Sequence, residues 1–207
     1  MKKVITIGRE FGSGGREIGR RISEKLQIAY YDQEIVTEIA KRTELSEEYV
    51  ERITEDRPYI SYPIHARMSF YAPYYAYTEF DRNLTVFAEQ HNIIRELAEK
   101  SNCIIVGRCA DHILAEKKPF RIFVYADSKS KMNRCRERSP ADEHLTDSQM
   151  RRKMNAIDKG RARYYNYFSG QKWGDRKNYD LLINTSGREI KRVSEAVAAY
   201  LKHILFD

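Results

Sequence analysis

A three-layer α/β/α domain around a five-stranded parallel sheet is the fold class this sequence predicts, and three observations predict it. Strand-like apolar runs begin near residues 4, 28, 103, 120 and 180, and helical periodicities fill the intervals between them. Strands alternating with helices are joined by right-handed crossovers into a parallel sheet. One run, Cys103-Ile104-Ile105-Val106, is continuously apolar rather than alternating, as in a strand covered on both faces. The first run ends in a glycine cluster and passes straight into an amphipathic helix, the strand, loop, helix order that suits phosphate. With 207 residues, 42% of them hydrophobic, and no Pro/Gly/Ser-rich linker, the chain reads as a single domain, 1–207.

The first strand, Val4-Ile5-Thr6-Ile7, leads through Gly8 into Arg9-Glu10-Phe11-Gly12-Ser13-Gly14-Gly15-Arg16-Glu17-Ile18-Gly19. Lacking Cβ, Gly12, Gly14 and Gly15 can turn successive backbone N–H groups toward one anion, and the following helix adds its positive amino end. Arg16 brings a formal charge to the same place, while Ile18, Ile22 and Leu26 recur every four residues as a face for the sheet. Gly12, Ser13, Gly14, Gly15, Arg16 and Glu17 are thus the candidate phosphate binders. The match to the P-loop motif G-x-x-x-x-G-K-[ST] is incomplete in two registers. With Gly12-Ser13-Gly14 on the last glycines, the lysine position falls on Gly15 and Arg9 stands where the first glycine belongs. With Gly8 as the first glycine, Gly15-Arg16-Glu17 replaces G-K-[ST] in a longer loop. Neither register holds a lysine. Glu17 has no hydroxyl to meet Mg²⁺, which leaves Ser13 as the nearest candidate for a metal.

The second strand, Ile28 to Tyr31, ends in Asp32, a carboxylate at the sheet edge where ligands of α/β proteins bind; the same residue is placed to cap the helix of Ile35, Val36 and Ile39. A polar helix follows over 46–55. Residues 57–80 then form an aromatic-rich insertion with three prolines and no clean period. Such a segment serves as a small satellite core, as a subunit contact through which the chain would form a homodimer, or as a stacking surface for a nucleobase. Arg57, His65 and Arg67 lie within it. Leu84, Phe87, Ile94 and Leu97 mark a long amphipathic helix from Asp81 to Lys100. After the buried strand at 103 come Gly107-Arg108-Cys109-Ala110-Asp111, which puts Arg108 at the sheet's carboxyl edge.

Phe120 to Asp127 reads as another strand, Ser128 to Arg138 as a short basic helix, and Pro140 as a break. Thr146 with Gln149 forms a capping-box signature, opening a helix with the apolar stripe Met150, Met154, Ile157, Tyr164 and Phe168. Arg151, Arg152, Lys153, Lys159, Arg161 and Arg163 occupy its other faces. A glycine-bounded turn over 170–174, a last strand from Tyr179 to Asn184, and a helix with the stripe Ile190, Val193, Val197, Leu201 and Ile204 complete the chain.

Composition narrows the partners. The net charge of +7 calls for acidic ones, yet the excess is concentrated over 121–176, not in a terminal arm, and no nucleic-acid-binding motif is present; small nucleotides are the expected partners, with no specific nucleic acid. No apolar run is long enough to span a bilayer, so no membrane is expected. The first strand leaves no room for a signal peptide, and Cys103, Cys109 and Cys135 are odd in number without C-x-x-C spacing, so the expected location is cytoplasmic.

Taken together these residues resemble the cytidylate kinase-like group of P-loop nucleoside monophosphate kinases, nearly end to end. The resemblance is carried by Gly12 to Ile18, Tyr31-Asp32, Val106 to Asp111, Asp158 to Tyr165, Gly170 to Gly174 and Asn178-Tyr179-Asp180. It implies the P-loop kinase fold with a helical lid: a core of 1–56, 81–139 and 175–207, an acceptor-side insertion at 57–80, and a mobile lid at 140–174. It implies ATP with Mg²⁺ as donor and a nucleoside monophosphate, CMP or dCMP first, as acceptor. The alternatives are a kinase of another small molecule on the same fold and a non-catalytic nucleotide-binding module. Under this resemblance Asp32, Arg108 and Asp111 bind the acceptor, and Arg16, Arg161 and Arg163 are the catalytic cations that meet the charge of the migrating phosphoryl group.

Overall fold

The computed structural model describes residues 2–55, 72–138 and 145–206. Its strands are β1 (Val4–Arg9), β2 (Ala29–Tyr31), β3 (Cys103–Val106), β4 (Phe120–Tyr125) and β5 (Leu181–Asn184). All pair in parallel in the order β2-β3-β1-β4-β5, the sheet expected from the alternation. The helices are α1 (Gly15–Leu26), α2 (Gln33–Thr43), α3 (Glu47–Glu55), α4 (Ala72–Lys100), α5 (Ala110–Ile113), α6 (Ser128–Arg138), α7 (Asp147–Ser169) and α8 (Ile190–Leu205).

Residue alternation decides which helices cover which face. Ile5 and Ile7, with Ile104, Val106, Ile122 and Val124 beside them, pack with α1 and α8. Val4, Cys103 and Ile105 point the other way, into a core shared with α2, α3 and α4. Because β1 and β3 are central, apolar residues are needed on both faces, hence the unbroken runs. Ile18 and Ile22 are fully buried against the sheet, each worth about 1.5–3 kcal/mol of burial, and truncating Ile22 to alanine would leave a cavity beneath β1.

Helix α4 starts at Ala72, ahead of the expected Asp81, with Pro73 in its first turn, where a missing N–H costs no helical hydrogen bond. The remainder of the aromatic-rich insertion, and the homodimer contact expected of it, lie outside the described residues, as does Pro140.

Helix α7 opens on the expected capping box, in which the Thr146 hydroxyl accepts from Gln149 N and Thr146 N donates to Gln149 Oε1. Its stripe then divides. Met150 and Met154 join Met132 and Phe11 beside the glycine loop, while Tyr164 and Tyr165 enter the α2/α4 core. Midway, Asp158 accepts from Phe11 N at 2.6 Å and from Lys131 Nζ at 2.7 Å, and Lys131 donates in turn to Glu10 at 3.1 Å. A buried ammonium between two carboxylates thereby ties the basic helix to the loop. Among the described residues no helix is long and apolar enough to cross a membrane.

Candidate active site

The glycine loop and the first turn of α1 form the wall of a cavity of about 370 Å³ at the carboxyl edge of the sheet. Gly12 and Gly14 take φ of 73° and 85°, and Gly14 ends the loop without any side chain capping α1, so the helix presents its amino end to the cavity. Arg16 from α1, Arg134 and Arg138 from α6, and Lys153 and Arg161 from α7 line the same space, against the carboxylates of Glu10 and Glu51. A cavity with this excess of cations and a glycine loop suits a polyphosphate.

The loop residues named from sequence divide by what their side chains do. Arg16 is exposed and pairs with the buried carboxylate of Asp32. Asp32 makes no capping bond to α2, although it precedes that helix; its other oxygen lies 3.7 Å from Arg9 Nη2. Ser13 is fully buried and its hydroxyl donates to Glu10 O at 2.8 Å, turned into the loop and not toward the cavity. Glu17 pairs with Arg21 at 2.8 Å and with Arg138, whose charges hold its carboxyl below the usual range despite partial burial. No cluster of three metal-ligating side chains occurs among the described residues.

The end of β3 is built differently. Gly107, Arg108 and Cys109 are three successive residues with positive φ, 72°, 59° and 56°, two of which carry a Cβ. Left-handed backbone at ordinary residues costs about 1–2 kcal/mol each, so the surroundings must hold it. Fully buried Gln90 of α4 does so by donating to Arg108 O at 2.9 Å. The turn buries the Arg108 guanidinium, which donates to Thr54 of α3 and borders a second cavity of about 30 Å³. Asp111 lines this cavity too, accepting from Tyr165 O–H at 2.7 Å; burial pushes its carboxyl up, and burial with the Asp111 charge pushes the Tyr165 phenol far up. Trp173 and Tyr179 complete the aromatic wall, and the buried Thr6 hydroxyl, without a hydrogen-bond partner among the described residues, borders the cavity as well.

The structure thus brings together Gly12, Gly14, Gly15, Arg16 and Arg161 at the first cavity, and Arg108, Asp111 and again Arg161 at the second. It does not bring Arg163 to either: that side chain is exposed on the far face of α7. Sequence reading missed Arg9, which lines both cavities, and Arg134 and Arg138. The two α6 arginines had a usable signal, since they stand four apart on a helix that begins directly after a strand's carboxyl end. Thr54 and Gln90 had none, because their roles arise from the meeting of α3 and α4 with the β3 turn.

A parallel five-stranded sheet with a glycine loop between β1 and α1 and cationic cavities at its carboxyl edge defines a P-loop kinase fold. The profile of the cytidylate kinase-like family matches residues 4–187, and the chain belongs to that family. Among solved structures it is similar to an uncharacterized protein from Eubacterium ventriosum ATCC 27560, at 25% identity and a TM-score of 0.66 over 97% of this chain and 99% of that one. It is similar also to the shikimate kinase from Bacteroides thetaiotaomicron, at 14% identity and a TM-score of 0.56 over 98% of each chain. The shikimate kinase from Acinetobacter baumannii, solved in complex with shikimate, aligns at 13% identity and a TM-score of 0.52 over 100% of this chain and 97% of that one. These last two likenesses concern the fold. No curated protein matches the chain.

Proposed function

We propose that the chain is an ATP-dependent kinase that phosphorylates a nucleoside monophosphate, with CMP or dCMP the first acceptors to test. The observation that supports this reading is that the two cavities adjoin, sharing Arg9 and Arg161 as lining residues, so that a donor phosphate bound in one would face an acceptor bound in the other. Phosphoryl transfer needs little covalent help from a protein; it needs in-line positioning and cations where charge spreads. The loop amides with Arg16, Arg134, Arg138 and Lys153 would hold the ATP phosphates. Arg108, buried and oriented, would grip the anionic group of the acceptor, and Tyr165, Trp173 and Tyr179 would flank its ring. Arg161 would meet the migrating group. A monophosphate oxygen is already deprotonated at neutral pH, so the reaction asks no general base of the chain.

A second reading is phosphorylation of another small anionic molecule, which the buried guanidinium of Arg108 at the second cavity would serve equally well. Coupled ADP release over a panel of nucleoside monophosphates, sugars and small carboxylates separates the readings. Turnover with CMP or dCMP supports the first, turnover only with a non-nucleotide acceptor the second, and tight ATP binding without turnover on any acceptor points to a nucleotide-binding module.

A further inference from the structure

We infer that Arg9 is a catalytic residue that takes the place of the lysine missing from the glycine loop, an assignment that rests on the kinase reading above. Arg9 ends β1, the position of the motif's first glycine when Gly12-Ser13-Gly14 is laid on its last ones; in that register Gly15 holds the lysine position. The two departures are one exchange in space. A Cβ built on Gly15 would stand 2.6 Å from Arg9 Cβ, closer than real Cβ atoms approach, and a tight 3.3 Å from Arg9 Cγ, so a lysine at 15 and an arginine at 9 compete for one volume.

A second glycine clears the path further out. A Cβ on Gly107 would run into the Arg9 guanidinium, reaching 2.9 Å from Cζ, and Gly107 directly follows β3, a different strand. Two glycines on separate elements thus leave room for one arginine. The side chain is 7% exposed, and Arg9 lines both the donor and the acceptor cavity. Asp32 Oδ1 lies 3.7 Å from its Nη2, and its carbonyl accepts from Arg161 Nη1 at 3.5 Å, so the other residue common to both cavities adjoins it.

That position is where a transferring phosphoryl group crosses. The bond from the γ-phosphorus to the β-bridging oxygen breaks, the ADP oxygen keeps the electron pair, and a lone pair on the acceptor phosphate oxygen forms the new P–O bond; no proton moves. The three equatorial oxygens carry charge midway, and a guanidinium fixed between the cavities donates to them without having to reorganise. The bidentate fork of arginine supplies there what an ammonium point charge supplies in a standard loop.

The test compares Arg9→Ala, Gly15→Lys and the exchange Arg9→Gly/Gly15→Lys, each measured for steady-state turnover with the acceptor that the wild-type chain uses, for ATP affinity by calorimetry and for melting temperature. Arg9→Ala is expected to lower kcat at least about 100-fold while the ATP dissociation constant moves less than about fivefold. The exchange is expected to recover at least about tenfold in kcat over Arg9→Ala, whereas Gly15→Lys alone, which collides with Arg9, loses activity. A kcat for Arg9→Ala within about threefold of wild type overturns the assignment, and so does a parallel loss of kcat and ATP binding at an unchanged melting temperature, which would make Arg9 a ground-state binder. Should Arg9→Ala fail to fold, the exchange variant carries the decision: a folded, ATP-binding exchange variant with wild-type-like turnover supports it, and one with none overturns it. If the wild-type chain turns over no acceptor in the panel, the kinase reading fails separately, and Arg9 is judged by affinity for ADP with fluoroaluminate relative to ADP alone. A loss of at least about tenfold confined to the fluoroaluminate complex in Arg9→Ala supports it; equal losses overturn it.

Discussion

On the proposed donor half of the carboxyl edge Arg16 and Arg138 are exposed and lean on carboxylates, Arg16 on Asp32 and Arg138 on Glu17, whereas on the proposed acceptor half Arg108 is buried, seated on a left-handed turn and held by Thr54 and Gln90. The difference is one of preorganisation. The donor arginines are exposed and able to swing between carboxylate and phosphate, Arg138 away from a partly exposed Glu17 and Arg16 away from the buried Asp32, whose charge Arg9 also faces. The acceptor arginine has no such freedom: its orientation is set when the chain folds, and backbone strain is the cost of placing it. On the proposed kinase reading, a loop that takes up and releases a nucleotide and a pocket that discriminates between acceptors call for these two constructions.

The comparison is sharpened most by the two arginines of α7 that stand two residues apart. Arg161 lies between the cavities and Arg163 faces solvent. Arg161→Ala is expected to lower kcat by about 100-fold with little change in ATP affinity, the signature of a group acting on the migrating charge, while Arg163→Ala leaves both unchanged. A loss in Arg163→Ala equal to that in Arg161→Ala would mean that α7 docks differently when nucleotide is bound. Next comes Arg108→Ala, which removes a charge-assisted partner from a buried site: the acceptor KM should rise about 10- to 100-fold and the ATP KM stay within about threefold. Equal effects on both constants would dissolve the distinction between the two halves. Arg16→Ala should do less, because its side chain is exposed and other cations share the cavity; ATP affinity is expected to fall by about five- to tenfold in calorimetry, and an unchanged affinity would remove Arg16 from the donor site.

The same contrast accounts for what was legible in the sequence. The sheet was readable because its signals are local: an unbroken apolar run such as Cys103 to Val106 marks burial on both faces by itself, and Thr146 with Gln149 marks a helix start. The donor half was half readable, since glycines and a following amphipathic helix announce a phosphate loop, but side-chain directions do not follow from spacing. Ser13, the candidate for a metal, turns its hydroxyl to Glu10 O, and Glu17 turns to Arg21 and Arg138. That Arg108 stands at the sheet's carboxyl edge is legible because it follows a buried strand and a glycine; what holds it, Thr54 and Gln90, comes from helices far away in sequence. Arg9 was in view as a residue standing where a glycine belongs, yet its meaning needed the space that Gly15 and Gly107 leave around it. The mobile lid that the sequence predicts over 140–174 contains α7; the bonds to Asp158 from Phe11 N and Lys131 Nζ, and the burial of Tyr164 and Tyr165, involve partners on other elements and so do not follow from spacing.

The smallest expected effect tests the rigid half through protons. Asp111 is enclosed beside Tyr165, and burial raises its carboxyl above the ordinary range, an effect that the Tyr165 hydrogen bond offsets only in part. Between the ordinary value of about 3.9 and the raised folded value, the folded chain keeps a proton that the unfolded chain has released. Stability from this group is therefore fully present below the ordinary carboxyl range and is lost as pH rises through the folded value, after which the folded chain carries a partly buried carboxylate. Asp111→Asn removes the titration and keeps an oxygen to accept from Tyr165 O–H. The variant should match the wild type in acid and melt a few degrees higher at neutral pH, with a flatter dependence of melting temperature on pH across the interval. Parallel pH profiles for the two chains would mean that Asp111 stays ionised at an ordinary pKa, as in a solvated site, and that the acceptor half is more open than the buried Arg108 beside it suggests.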